Sequence, residues 1–145
     1  MAVVRTKIEM YCSRAEQCPL SVRRKLREWG VPASDAETLV DGLVAEGFLD
    51  ERRFALAFVH DRLRFGRCGR NKIRFELRQK QISESAADIA IASINEQEYE
   101  EILQSVADAK KRQLRTLPAE TQRRRLFAYL LSKGFETDYF KKIKV

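Results

Sequence analysis

A chain of 145 residues has the length of one domain or of a short series of modules, enough to bury a core without metals or disulfides. Apolar residues are 44%, which argues against disorder, and charged ones 34%, with 28 Lys and Arg against 21 Asp and Glu, so a net charge of +7 points to a polyanionic or acidic partner. No apolar run approaches the ~20 residues of a membrane helix, Met1-Ala2-Val3-Val4-Arg5 is not followed by the apolar stretch of a signal peptide, and three cysteines with one histidine and no CxxC argue against zinc and for reduced thiols in a cytosolic setting.

Six glycines and three prolines are too few to punctuate a sandwich or barrel, and the periodicity is helical throughout. Val4, Ile8, Tyr11 and Cys12 keep helical spacing from Val3 to Cys12. Ser21 is placed to cap a helix with the stripe Val22, Leu26 and Trp29, ending at Gly30. Ser34 and Glu37 read as a capping box ahead of Leu39, Val40, Leu43 and Val44, with Gly47 as the stop. Asp50 caps a helix carrying Phe54, Ala55, Phe58, Val59 and Leu63, which ends at Gly66. The next runs from about Gly69 to Lys80 and is turned by Gln81-Ile82. Ser83 starts a short helix with Ala86, Ala87, Ala90, Ile91 and Ile94. Asn95 and Glu98 form a second capping box for a long helix reaching about Arg115. Pro118 opens one that buries Leu126, Phe127, Leu130 and Leu131 and stops at Gly134. A last short helix holds Tyr139, Phe140 and Ile143.

Three of these segments align at offsets of 51 and 53 residues: Val22–Val31, Ile73–Ile82 and Leu126–Phe135. Each has apolar residues at i and i+4, then glycine or glutamine, then another apolar residue. A period near 50 residues belongs to repeat proteins. The expected fold is therefore all-α, about nine short helices in three tandem three-helix repeats, forming an elongated, curved array with hinges. The expected modules are residues 1–47, 48–94 and 95–145.

Charge concentrates on the middle helix of each module. Between Arg62 and Lys80 stand Arg62, Arg64, Arg67, Arg70, Lys72, Arg74, Arg78 and Lys80, with Glu76 the only acid. Arg70, Arg74 and Arg78 follow i, i+4, i+8 spacing, so three guanidiniums line one face with no acidic relief nearby in sequence. Such a row is suited to phosphates or an acidic groove; the plainer alternative is a solvated face. Arg23, Arg24, Lys25 and Arg27 form a second cluster. Lys110, Lys111, Arg112 and Arg115, with Arg123, Arg124 and Arg125 across a turn, form a third.

Gly66-Arg67-Cys68-Gly69 lacks the lysine-serine pair of a phosphate-binding loop. His60 has no candidate nucleophile beside it, so no catalytic residue, metal site or cofactor is expected. Cys12, Cys18 and Cys68 read as buried or incidental thiols, Cys68 the most exposed. Trp29, Phe65, Phe75 and Tyr139 are open between core and partner contact.

The run Gly47-Phe48-Leu49-Asp50-Glu51-Arg52-Arg53-Phe54-Ala55, then Gly66 to Gly69, then Ile73 to Ser83 through Leu77 and Ile82, resembles the RecX family of recombinase regulators. Leu26-Arg27-Glu28-Trp29-Gly30-Val31 extends the likeness toward the N-terminus, and the third module fits loosely. Arg70 stands where the family commonly has proline, Gln81 where it has glycine and Trp29 where lysine is frequent; Gln81 is thereby asked to bear a backbone penalty.

The resemblance implies a non-enzymatic, cytoplasmic bacterial modulator of the RecA recombinase, built of three tandem three-helix repeats. Such a protein lies in the groove of the RecA filament on single-stranded DNA and blocks its extension or promotes its loss. Strand exchange, ATP hydrolysis and co-protease activity then fall. The chain is expected to act as a monomer with weak direct DNA binding at most. A different reading is a helix-turn-helix-like module that binds DNA without a recombinase; a structural scaffold is a third.

Overall fold

The structure, a computed structural model, describes residues 1–143, so the last two residues of the expected third module lie outside it. Every regular element among the described residues is helical. In chain order these are α1 (Ala2–Arg14), α2 (Pro19–Glu28), α3 (Ala33–Ala45), α4 (Glu51–Arg64), α5 (Arg70–Gln79), α6 (Glu84–Ala92), α7 (Glu96–Leu114), α8 (Ala119–Ser132) and a closing 3-10 helix (Thr137–Lys142). The surface, 8929 Å², exceeds the roughly 7,700 Å² that a compact monomer of this mass would expose, as an extended arrangement requires.

The repeat read from the sequence returns as a repeated backbone geometry. Helices α2, α5 and α8 all end in a Schellman motif. Gly30 N–H donates to the Arg27 carbonyl at 2.9 Å and Val31 N–H to that of Leu26 at 3.0 Å. The same two bonds run from Gln81 to Arg78 (2.9 Å) and Ile82 to Leu77 (3.1 Å), and from Gly134 to Leu131 (2.9 Å) and Phe135 to Leu130 (3.1 Å). The residue that turns the chain has φ of +78° at Gly30, +61° at Gln81 and +92° at Gly134. Gln81 thus adopts the left-handed conformation that costs a side-chain-bearing residue about 1–2 kcal/mol. The apolar positions ahead of each turn, Val22 and Leu26, Ile73 and Leu77, Leu126 and Leu130, are buried in all three copies.

Helix starts follow the expected caps where no proline intervenes. Asp50, Ser83 and Asn95 accept the N–H of Arg53 (3.0 Å), Ala86 (3.2 Å) and Glu98 (2.9 Å) respectively. Two expectations are corrected where proline sets the start instead. Ser21 is not the cap of α2: that helix begins at Pro19, and the Ser21 Oγ accepts the Cys18 N–H at 3.2 Å. Ser34 and Glu37 form no capping box, because Pro32 occupies the cap position of α3 and Glu37 turns to Arg23. The Glu98 side chain likewise leaves its own helix start for Arg64, at 2.9 Å.

Two apolar clusters hold the described residues together. One joins α1, α2 and α3 through Ile8, Cys12, Val22, Leu26, Leu39, Leu43 and Leu49. The other runs unbroken from α4 to the closing helix, through Phe54, Val59, Ile73, Leu77, Ile91, Tyr99, Leu103, Leu126 and Phe135, and takes in Cys18 from the start of α2. Each fully buried Leu or Ile in them is worth roughly 1.5–3 kcal/mol. Among the expected positions Val44 and Leu131 are exposed and Phe58 and Phe127 are half-buried, because α3, α4 and α8 each bury a narrower stripe than the periodicity suggested. Cys68, expected to be the most exposed thiol, is fully buried, with Arg62 Nη2 at 3.3 Å from its sulfur.

The α5 start and the turn after α8 meet backbone to backbone. Gly69 N–H donates to the Lys133 carbonyl at 2.8 Å and Asn71 N–H to that of Gly134 at 3.0 Å. A Cβ on Gly69 would fall 2.5 Å from Gly134 and Phe135 backbone atoms, and one on Gly134 would fall 2.4 Å from Lys72. Glycine at both positions is what permits this approach.

Candidate partner-binding surface

Within the first two three-helix groups the cations and anions sit on different helices. Helices α2 and α5 carry Arg23, Arg24, Lys25 and Arg27, and Arg70, Lys72, Arg74 and Arg78. Helices α3 and α6 contain no Lys or Arg and present Asp35, Glu37 and Asp41, and Glu84 and Asp88. Packing the second helix against the third pairs these charges inside each group. Arg23 Nε donates to Glu37 at 2.6 Å, and Arg74 Nη1 to Asp88 at 2.5 Å. Both members of the pair shift by 51 residues from one group to the next, so the ion pair is part of the repeat. The third copy replaces it with an apolar contact, Phe127 stacked on Phe140 at 5.1 Å.

The expectation that the α5 arginines lack acidic relief does not hold. Arg78 Nε donates to Glu84 at 2.6 Å, and Arg74 also lies 3.6 Å from Glu84, which holds that carboxyl below its usual range. Arg70 does not share the outward face: it turns inward and is the centre of a network. Its guanidinium lies 3.9 Å over the Tyr99 ring and donates to Glu136 (3.0 Å), Tyr139 Oη (2.9 Å) and Glu96 (2.9 Å). The backbone N–H of Arg70 donates to Tyr99 Oη at 3.0 Å, and that hydroxyl in turn donates to Glu136. Burial and the Glu136 carboxylate both push the Tyr99 phenol up. Tyr139, by donating to Glu96, and Arg70 hold the Glu96 carboxyl down.

Most other candidates along this stretch are similarly engaged. Arg62 pairs with Glu76 at 2.8 Å, Arg64 with Glu98 at 2.9 Å, and Arg67, itself at φ +54°, donates to Ser105. Cations with no carboxylate in reach among the described residues include Arg24, Arg27, Lys72, Lys80, Arg124 and Arg125. Lys80 lies 5.5 Å over the Phe58 ring and Arg123 lies 5.4 Å over that of Phe127. Arg24 and Lys80 face one another across an open cleft of about 680 Å³ between α2 and the α4–α5 pair, with Leu20, Phe58 and Gln79 in its walls. The Arg62–Glu76 ion pair also lines the cleft, so Arg24 and Lys80, with no carboxylate in reach among the described residues, leave it net cationic over a partly apolar floor. Among the motif residues, Gly30, Gly47, Phe48, Leu49, Asp50, Phe54, Ala55, Gly66, Gly69, Ile73, Leu77 and Ile82 serve turns, caps and core. No helix is long and apolar enough to cross a membrane among the described residues, and no cluster there is built to hold a metal ion.

The acidic partners Glu16, Glu96 and Glu136 and the two tyrosines escaped the sequence reading, since they lie up to 69 residues from the arginines they bind. The repeated ion pair carried a readable signal: Arg23 to Glu37 and Arg74 to Asp88 keep one spacing of 14 residues.

The fold and this charge arrangement define an all-α protein of tandem three-helix repeats with cationic second helices. Residues 50–91 match the family model described as RecX, second three-helix domain. The chain is 33% identical over 125 residues to the regulatory protein RecX of Clostridium botulinum strain Eklund 17B, covering 84% of this chain and 58% of that protein. It is 30% identical over 115 residues to the regulatory protein RecX of Pelodictyon phaeoclathratiforme, covering 79% and 70% respectively. A crystal structure of a regulatory protein RecX superposes with a TM-score of 0.89 at 24% identity, over 98% of this chain and 70% of that one, and so shares the fold. The chain belongs to the RecX family of regulatory proteins, and it spans 58% of the length of the Clostridium relative.

Proposed function

We propose that this chain regulates the RecA recombinase, mainly as an inhibitor. In this reading it lies in the groove of the RecA filament on single-stranded DNA, blocks extension or promotes disassembly, and lowers strand exchange, ATP hydrolysis and co-protease activity. It acts in the bacterial cytoplasm as a monomer, without chemistry of its own. The observation that carries the reading is the charge left over after internal pairing. The α5 arginines are matched by acids of the fold, while Arg24, Arg27, Lys72, Lys80, Arg124 and Arg125 are not. Cations spread over all three helix groups suit an extended anionic partner that each group touches modestly, the contacts adding through effective concentration.

The unaided DNA-binding reading is less well supported. In a three-helix DNA-binding module the third helix enters the major groove and needs donors for base edges and phosphates. Here α3 and α6 offer carboxylates, which phosphates repel. The test is DNA-dependent ATP hydrolysis by the cognate RecA at about 0.15 M salt. Loss of turnover well below one protein per recombinase subunit is expected; full turnover with both proteins folded overturns the reading.

A further inference from the structure

At the tip of the α7–α8 hairpin cations accumulate with hardly any acid. Arg112, Arg115, Arg123, Arg124 and Arg125 stand there with Glu120 as the only acid between residues 112 and 125. All five are exposed, and none has a carboxylate within ion-pair distance among the described residues. The turn that carries them is held firmly: the Gln122 side-chain amide donates to the Leu117 carbonyl at 2.7 Å and to that of Arg115 at 3.3 Å, and Lys110 lies 4.6 Å over the Tyr129 ring, clasping the two helices. Arg124 and Arg125 fall within the first two turns of α8, roughly 9 Å along its axis from the turn. Of the acids of α7, Glu96, Glu98, Glu100 and Glu101 sit toward its other end, the first three engaged by Arg70, Arg64 and Lys142, while Asp108, about 6 Å along the axis from Arg112, accepts from the Gln104 side chain at 2.8 Å and lies 3.9 Å from Lys111. The four glutamates are more than about 15 Å away, beyond the ~10 Å screening length at 0.1 M salt, and Asp108 is held by its own helix, so five guanidiniums outweigh the acid near the tip.

We infer that this tip binds the phosphodiester backbone of single-stranded nucleic acid, a role that rests on the filament reading above and assigns its DNA contact. The chemistry favours phosphate over an acidic protein surface. Protein interfaces centre on exposed aromatic or aliphatic anchors. Between residues 112 and 125 the large apolar side chains are instead buried or half-buried, at Leu114 and Leu117. What is exposed is a set of guanidinium forks, each matched to two phosphate oxygens. With no exposed aromatic in the patch for a base to stack on, the contact reads backbone alone and is indifferent to base sequence.

The probe is a labelled oligo(dT) of roughly 20 nucleotides, titrated by fluorescence anisotropy from about 50 to 200 mM salt. Four or five phosphate contacts predict a slope of log K against log salt near −3 for the native chain. R124A/R125A is expected to lower that slope by about 1.4 and the affinity roughly 20-fold at 0.1 M salt, with the helical circular dichroism unchanged. R74A/R78A, which touches pairs internal to the fold, leaves both values in place. Oligo(dT) binding by R124A/R125A equal to that of the native chain overturns the assignment. So does loss of recombinase inhibition by this variant with oligo(dT) binding intact, which would give the tip to an acidic protein surface. Inhibition by the native chain, measured alongside, separates the two levels: its absence overturns the filament reading, while the oligo(dT) titration still decides the tip.

Discussion

The joint between α3 and α4 and the joint that brings α5 against the α8 turn connect like repeats in unlike ways. At the second joint one apolar cluster runs through both helix groups, two glycines let the backbones touch, and Arg70 ties α5 to α7 and the closing helix. At the first joint the apolar clusters meet only through Cys18 and the partly buried Leu20, a cleft stays open, and the remaining ties are polar. Arg53 makes most of these, donating to Glu16 at 2.7 Å and to the Gly47 carbonyl at 2.9 Å. A shared dry core has one cooperative packing, whereas exposed ion pairs cost little to rearrange. Sequence repeats therefore need not be structural repeats: residues from α4 onward share one apolar core, and α1–α3 is attached to it by a joint with fewer apolar contacts.

The largest expected effect breaks the second joint. Gly134→Ala forces a Cβ to within 2.4 Å of Lys72 at a φ of +92°, and overpacking plus left-handed strain should cost about 3–4 kcal/mol in urea unfolding. Gly30→Ala is the control, since its φ is +78° but nothing lies within 4 Å of the new Cβ, and about 1 kcal/mol is expected. Equal costs would mean that the close approach at Gly134 does not matter.

Arg70→Ala comes next, at about 2 kcal/mol, because Glu136 and Tyr139 lose a half-buried donor. The same network sets an acid limit. The Glu96 carboxyl is held below its usual 4.5 in the fold, so its contribution is fully present above that value and is lost as pH falls through and below it. Arg70→Ala should therefore flatten the dependence of Tm on pH below about 4.5, read by thermal melts across that range.

A smaller effect has the opposite sign. Gln81→Gly removes left-handed strain of about 1–2 kcal/mol at a residue with φ +61° and restores backbone entropy to the unfolded chain, for a net gain near 0.5–1 kcal/mol in urea unfolding. The smallest tests the first joint alone. Arg53→Ala should leave Tm in place while speeding amide exchange in α1–α3 relative to α4–α8. Uniform exchange across both regions would remove the contrast between the joints.

Much of the fold was legible because helices are local objects. The stripes around Leu26, Leu77 and Leu130 and the stops at Gly30 and Gly134 follow from spacing within one or two turns, and even the strain at Gln81 is visible as a glycine position filled by another residue. The starts of α2 and α3 were misplaced because Pro19 and Pro32 fix the chain before Ser21 and Ser34 can cap it. The candidate surface was harder to read. An i, i+4, i+8 row of arginines gives their direction along α5 but not what faces them, and Arg70 meets Glu136 only after α5 and the closing helix have been packed together.

In the proposed reading the fold engages the α5 arginines itself and leaves other cations for the partner. The direct measurement is the midpoint of RecA ATPase inhibition by R74A/R78A against the native chain, with the helical circular dichroism of both checked. Midpoints within about twofold are expected, since exposed intramolecular pairs contribute little to a distant contact. A weakening of tenfold or more, about 1.4 kcal/mol, in a variant that remains folded would contradict it and return the partner to the α5 face.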